Sequence, residues 1–147
     1  MEMIFTDEYF MEIALKEAQA AFEKGEIPVG AIVVSNNQIL ARTHNLTELL
    51  SDVTAHAEIQ AISSAANYLG GKYLKDCTLY VTLEPCSMCA GALYWSQITA
   101  IVCGAADHKR GYRSMGGQLH PKTQIKFGVL EDRCAALMKD FFKKKRK

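Results

Sequence analysis

Residues 77–104 read CTLYVTLEPCSMCAGALYWSQITAIVCG, and this stretch decides the fold. Cys77–Leu83 and Thr99–Gly104 are short apolar runs rich in Val, Ile, Thr and Tyr, while about Pro85–Trp95 has the length and composition of a helix. Two buried-looking strands joined through a helix make a β-α-β unit, with parallel strands and a right-handed crossover. The end of the first strand and the start of the helix then share one edge of the sheet, where ligand sites in α/β sheets lie. Upstream, a helix is expected over about residues 6–24. Thr6 suits its N-cap, Asp7 and Glu8 its positive end, and Gly25 its stop, with Phe10, Ile13, Ala14, Ala18, Ala21 and Phe22 at helical spacing between them. Val29–Val34 and Gln38–Thr43 read as strands joined by a hairpin turn at Ser35-Asn36-Asn37, and Ala55–Leu69 reads as a helix closed by Gly70-Gly71. Downstream come a loop over 105–123, a short strand at Gln124–Val129 and an amphipathic helix at Glu131–Lys143. The expectation is one domain over residues 1–147, a three-layer α/β/α sandwich around a five-stranded mixed sheet.

Two segments carry chemistry. His56-Ala57-Glu58 opens the second helix, and Pro85-Cys86-Ser87-Met88-Cys89 opens the third, where Pro85 suits a first helical turn. Cys86 and Cys89 are three residues apart, so both sulfurs project from one face beside the positive end of a helix, which lowers thiol pKa values. With His56 they make three zinc ligands, and a tetrahedral zinc so held keeps its fourth corner for a water. Glu58 is the carboxylate that carries protons between such a water and a substrate. His56 and Glu58 are too close in sequence to share a face of a regular helix, so both are expected in an irregular first turn. A Cys-x-x-Cys alone reads equally as half of a structural zinc cage or as a redox pair. A closed cage needs a fourth protein ligand, for which the candidates are Cys77, Cys103, Cys134, His44, His108 and His120. The three cysteines fall in apolar strands or on an amphipathic helix and read as small core residues, and the three histidines lack ligand spacing.

Composition narrows the class. No run approaches the roughly 18 apolar residues of a membrane span, and the start, Met1-Glu2-Met3-Ile4-Phe5, lacks the pattern of a signal peptide, so reduced cysteines and a cytoplasmic location are expected. The net charge of +1 conceals an asymmetry: residues 1–104 hold 5 Lys/Arg against 12 Asp/Glu, net −7, and residues 105–147 hold 12 against 4, net +8. A basic C-terminal part suits a polyanion. Its terminal run Lys143-Lys144-Lys145-Arg146-Lys147 reads equally as a solvated end.

The pattern His-x-Glu followed by Pro-Cys-x-x-Cys is that of zinc-dependent nucleobase deaminases. Nearly the whole chain resembles the tRNA-specific adenosine deaminases of the cytidine deaminase-like superfamily. The resemblance rests on Glu26-Ile27-Pro28-Val29-Gly30-Ala31, Asn45, Thr54-Ala55-His56-Ala57-Glu58, Leu79 through Ala92, and Cys134-Ala135-Ala136-Leu137 with Asp140-Phe141-Phe142. It implies that His56, Cys86 and Cys89 hold one Zn2+ with a water as fourth ligand and that Glu58 is the proton shuttle. It further implies that Asn45, Val29 and the Ala57 backbone face the base or its ribose, and that a homodimer converts the wobble adenosine of a tRNA anticodon arm to inosine. Read without it, Asn45 is a strand-end residue capping a turn and Val29 a core residue. Asp107-His108-Lys109-Arg110-Gly111 keeps an Asp-x-Lys-x-Gly pattern that in the family lies near the RNA, so Asp107 joins the substrate-facing set. The following Tyr112-Arg113-Ser114-Met115-Gly116-Gly117 departs from the family's small Gly/Ser-rich stretch. Arg110 and Arg113 could pair with phosphate and Tyr112 could stack on a splayed base, or the segment is an ordinary basic surface loop. Tyr94-Trp95 reads as helix packing. The alternative activity is deamination of a free base or nucleoside, of guanine or cytosine type, with the same four site residues.

Overall fold

The computed structural model describes residues 5–146, so Met1–Ile4 and Lys147, part of the readings of the start and of the basic tail, lie outside the described residues. The elements in chain order are α1 (Asp7–Glu23), β1 (Gly30–Ser35), β2 (Gln38–His44), α2 (Ala57–Leu69), β3 (Cys77–Leu83), α3 (Ser87–Ser96), β4 (Ala100–Ala105), β5 (Gln124–Lys126) and α4 (Glu131–Lys145). The strands form one mixed five-stranded sheet in the order β2-β1-β3-β4-β5. β1 runs antiparallel to β2 and β3, whereas β3, β4 and β5 run parallel.

Both faces of the sheet are covered, which explains why its central strands read as nearly continuous apolar runs. Alternate residues go to opposite sides. Ala31, Val33, Leu79, Val81, Ile101 and Cys103 pack on one face with Ala57, Ala61, Ala65 and Leu93 from α2 and α3. Ile32, Val34, Tyr80, Val102 and Ala105 pack on the other with Phe10, Met11, Ala14 and Cys134 from α1 and α4. Cys77, Cys103 and Cys134 are buried core residues, as expected.

Local signals act as the sequence suggests. Thr6 Oγ1 accepts from the Tyr9 amide, and Gly25 and Gly70 take the positive φ that closes α1 and α2. Asn36 and Asn37 both adopt left-handed φ in the two-residue turn between β1 and β2. The buried Tyr80 hydroxyl donates to Asp7 Oδ1 at 2.8 Å, and Lys126 Nζ donates to Asp7 Oδ2 at 2.8 Å, so one carboxylate ties α1 to β3 and β5.

α1 lies directly on β1 at Gly30. A Cβ there would meet the Ala14 carbonyl oxygen and come within 2.5 Å of the Ala18 nitrogen, both backbone atoms that cannot turn aside. Gly30→Ala is therefore expected to destabilise the protein by about 3 kcal/mol, the upper range for overpacking, read as a lower urea midpoint at unchanged slope.

Three expectations are corrected. β5 stops at Lys126 instead of Val129, because Gly128 turns with φ +94 and donates its amide to the Cys103 and Gly104 carbonyls at 3.1 Å. Pro85 lies one residue ahead of the α3 N-cap, Cys86, not inside the first turn. Trp95 is 75% exposed and so contributes little to helix packing. No helix among the described residues is long and apolar enough to cross a membrane.

Candidate active site

Two helix starts meet beyond the β3 end of the sheet. His56 is the N-cap of α2, in extended backbone at φ −72, ψ 155. Its amide donates to the Thr54 carbonyl at 2.7 Å, while Thr43 Oγ1 holds the Ala57 carbonyl at 2.7 Å, which fastens the α2 start to β2. Cys86 is the N-cap of α3, also extended, and Cys89 lies in that helix's first turn. Because His56 stands outside the helical spiral, it and Glu58 approach a common point despite their spacing of two. The irregular start anticipated from sequence thus takes the form of an extended N-cap.

His56 Nδ1 lies 3.7 Å from Cys86 Sγ and 3.5 Å from Cys89 Sγ. The three donor atoms fall within 4.8 Å of one another, and they form the one group of three His, Cys, Asp or Glu side chains among the described residues that could hold a metal. A tetrahedral zinc with Zn–S near 2.3 Å and Zn–N near 2.0–2.1 Å would keep nitrogen and sulfur about 3.5–3.6 Å apart. The donor set fits that ion in both chemistry and spacing. A hydrogen bond from Cys89 pulls the Cys86 thiol down to about 4 against the cost of its burial, with His56 assisting, and the same bond and burial push Cys89 up. One of the two sulfurs is thus already a thiolate at neutral pH, ready for a cation.

Glu58 is buried. Desolvation pushes its carboxyl up to about 7, opposed by its own backbone N–H and by His56. A carboxyl that gains and loses a proton near neutral pH is suited to general acid–base work. A cleft of about 730 Å³ opens over this group, lined by Val29, Asn45, His56, Ala57, Glu58, Cys86 and Asp107 among others. Of the residues given catalytic, metal or base-facing roles from sequence, all line the cleft except Cys89, which is buried, and of the loop candidates Arg110 lines it whereas Tyr112 and Arg113 do not. Asn45 is buried at the end of β2, with its amide on the Val29 carbonyl at 3.1 Å. Asp107 Oδ1 accepts from the Lys109 and Arg110 amides at 3.1 and 3.0 Å, closing a turn that places His108, Lys109 and Arg110 on the cleft rim.

Other site-building residues were not recognised from sequence. α4 lines the cleft with Ala135 and Met138, and Phe142 and Arg146 follow along the same helix end. Lys143, Lys144 and Lys145 therefore form the last turn of α4, with Arg146 as its C-cap. Lys144 and Lys145 sit 5.5 and 5.6 Å from the ring centres of Phe22 and Phe141. Two buried carboxylates hold the loops on either side. Glu26, 1% exposed, accepts from the Glu48 and Leu49 amides at 3.0 and 2.7 Å. Glu84 does the same for the rim turn, where desolvation raises its pKa but Arg113 and the Asp107 and Arg113 amides outweigh it and hold the carboxyl below its usual range. The suggested roles of Arg113 and Tyr112 change accordingly. Arg113 is committed to Glu84, and Tyr112 is buried and unavailable for stacking.

This mixed sheet, with a His-x-Glu at one helix start and a Pro-Cys-x-x-Cys at the next, defines the cytidine deaminase-like class of α/β enzymes. The MafB19-like deaminase model matches residues 5–146. A tRNA-specific adenosine deaminase of Aquifex aeolicus is 45% identical over 145 residues, 95% of each chain. A structure solved in work on A-to-I editing by tRNA:A34 deaminases at the wobble position superposes with a TM-score of 0.82 at 41% identity, covering 88% of this chain and 98% of that one. A guanine deaminase of Bacillus subtilis superposes with a TM-score of 0.67 at 35% identity, over 76% of this chain and 69% of its own. The chain belongs to the tRNA-specific adenosine deaminase family.

Proposed function

We propose that this chain is a single hydrolytic deaminase domain that converts adenosine to inosine at the wobble position of a tRNA anticodon arm, in the cytoplasm and as a homodimer. The observation that carries the reading is the donor triangle of His56, Cys86 and Cys89, spaced for zinc, with the buried Glu58 beside it, in a chain 45% identical to a tRNA-specific adenosine deaminase over 95% of its length. His56, Cys86 and Cys89 would hold a zinc ion, whose chemistry there would be to make a water acidic enough to lose a proton near neutral pH. Glu58 would take a proton from the attacking water as its oxygen bonds to the ring carbon that bears the amino group, pass that proton to the adjacent ring nitrogen, and then move the proton of the new hydroxyl to the amine, so that the C–N bond breaks, ammonia leaves and the oxygen stays as the inosine carbonyl. Asn45, Val29 and the Ala57 backbone face the flipped base or its ribose, and Asp107 lies in the rim turn beside the RNA.

The rim favours a polynucleotide over a free base. Lys109, Arg110 and Arg146 line the cleft, and cations placed there meet backbone phosphates, whereas a free base has none. Leu49, Leu50, Val53 and Trp95 stand exposed and offer the kind of apolar surface that a second copy would cover. The guanine-type activity is kept as the competing outcome because of the Bacillus subtilis structural relative. Incubation with a tRNA carrying adenosine at the wobble position, followed by reverse transcription, is expected to convert that position to a guanosine read. An unchanged read, with ammonia released from free guanine, would replace this assignment.

A further inference from the structure

The rim turn of the cleft is wound around one buried carboxylate. Glu84 follows β3 directly, and its side chain is 1% exposed. Oε1 accepts from the Asp107 amide at 3.0 Å and from Arg113 Nη2 at 2.9 Å, while Oε2 accepts from the Arg113 amide at 3.2 Å and from Arg113 Nε at 3.1 Å. The fork of the guanidinium thus takes both oxygens, the geometry in which arginine binds a carboxylate most firmly. The Arg113 guanidinium carbon also lies 3.9 Å from the Phe127 ring centre, so the side chain is held on two sides. Between the two anchor points the chain passes so close to Glu84 that a Cβ on Gly111 would meet the carboxylate itself, and would stand 2.5 Å from the Asp107 carbonyl oxygen. The Tyr112 amide on the Pro85 carbonyl at 2.8 Å and Ser114 Oγ on the His108 carbonyl at 2.7 Å close the turn.

His108, Lys109 and Arg110 lie between the anchors, with exposed side chains at the cleft mouth. Their positions follow from where residues 107 and 113 are tied down. We propose that Arg113, through its bidentate pair with Glu84, is a positioning residue that fixes Lys109 and Arg110 at the mouth of the site for the phosphates of an RNA substrate. Arg113 does not touch the substrate. It acts on capture and leaves the chemistry at Glu58 unchanged. This inference rests on the tRNA reading above and names the device that sets its affinity. The guanidinium is half exposed, and without it Glu84 keeps the Asp107 and Arg113 amides, so the fold survives its removal.

The test is steady-state kinetics of Arg113→Ala, Arg110→Ala and the double variant on an anticodon stem-loop with wobble adenosine. Arg113→Ala is expected to raise KM about tenfold with kcat within about twofold, because uniform binding is lost and transition-state contacts are not. The double variant is expected to be little worse than Arg113→Ala alone, since an unanchored Arg110 has already lost its contact. Arg113→Lys is expected to recover only part of the loss, because an ammonium cannot span both Glu84 oxygens. An unchanged KM for Arg113→Ala overturns the proposal, as does a fall in kcat with loss of bound zinc, which would make the pair a scaffold of the metal site. Additive effects in the double variant also overturn it, since they would mean that Arg113 acts independently of Arg110. Wild-type protein inactive on the stem-loop would overturn both this inference and the tRNA reading, whereas an active wild type with an unaltered Arg113→Ala overturns this inference alone.

Discussion

Replacement of Glu58 by Gln is expected to lower kcat about a thousandfold while leaving the zinc content of the protein unchanged. The substitution keeps the shape of the side chain and touches none of the three donor atoms, so the metal site has no reason to change. It removes the only function that the geometry gives Glu58, the acceptance and return of a proton. Folding should not suffer either. Burial pushes the Glu58 carboxyl up to about 7, so ionising it in the metal-free protein costs stability as pH rises from its ordinary value near 4.5, and a neutral amide avoids that cost. Single-turnover rates on a wobble-adenosine stem-loop and metal analysis of the same preparation read both halves of the expectation. Normal turnover by Glu58→Gln would remove the proposed mechanism.

Cys86→Ala is expected to lose both zinc and activity. The Cys86 thiol is drawn down to about 4, first by the hydrogen bond from Cys89 and also by His56, and it stands at the positive end of α3. Without it, His56 and the high-lying Cys89 thiol remain as two donors, too few to retain the ion through dialysis. Bound zinc should fall from about one per chain to less than about a tenth, with turnover falling in proportion. The contrast between the two variants matters more than either alone, since Glu58→Gln separates chemistry from metal binding and Cys86→Ala does not. Retention of zinc with activity in Cys86→Ala would mean that another side chain takes its place.

The β3-α3-β4 unit was legible because its signals are local: apolar runs of strand length, a proline and two cysteines at a helix start, and a short connection on either side. The His56, Glu58, Cys86 and Cys89 constellation was legible for a related reason, that metal ligation and proton transfer restrict which residue types can serve. What stayed hidden depends on partners far along the chain. Glu26 meets amides 22 and 23 residues later, and Glu84 meets Arg113 29 residues later, so nothing around either acid marks it as buried. Arg113 and Tyr112 read either as RNA-contacting residues or as part of an ordinary basic surface loop, yet Arg113 is paired with Glu84 and Tyr112 is buried. The lysine run read as a possible loose end because like charges repel. The end of α4 accommodates them, since cations suit the negative end of a helix and the rings of Phe22 and Phe141 receive Lys144 and Lys145.

Zinc-edge X-ray absorption on the purified protein tests the central claim most directly, namely an open centre with three protein donors beside Glu58. The expected spectrum has two sulfur neighbours near about 2.3 Å and two lighter neighbours near about 2.0–2.1 Å, one from His56 and one that exchanges when a substrate analogue is added. A third sulfur, or a second imidazole that no analogue displaces, would show a closed structural site and contradict the catalytic reading.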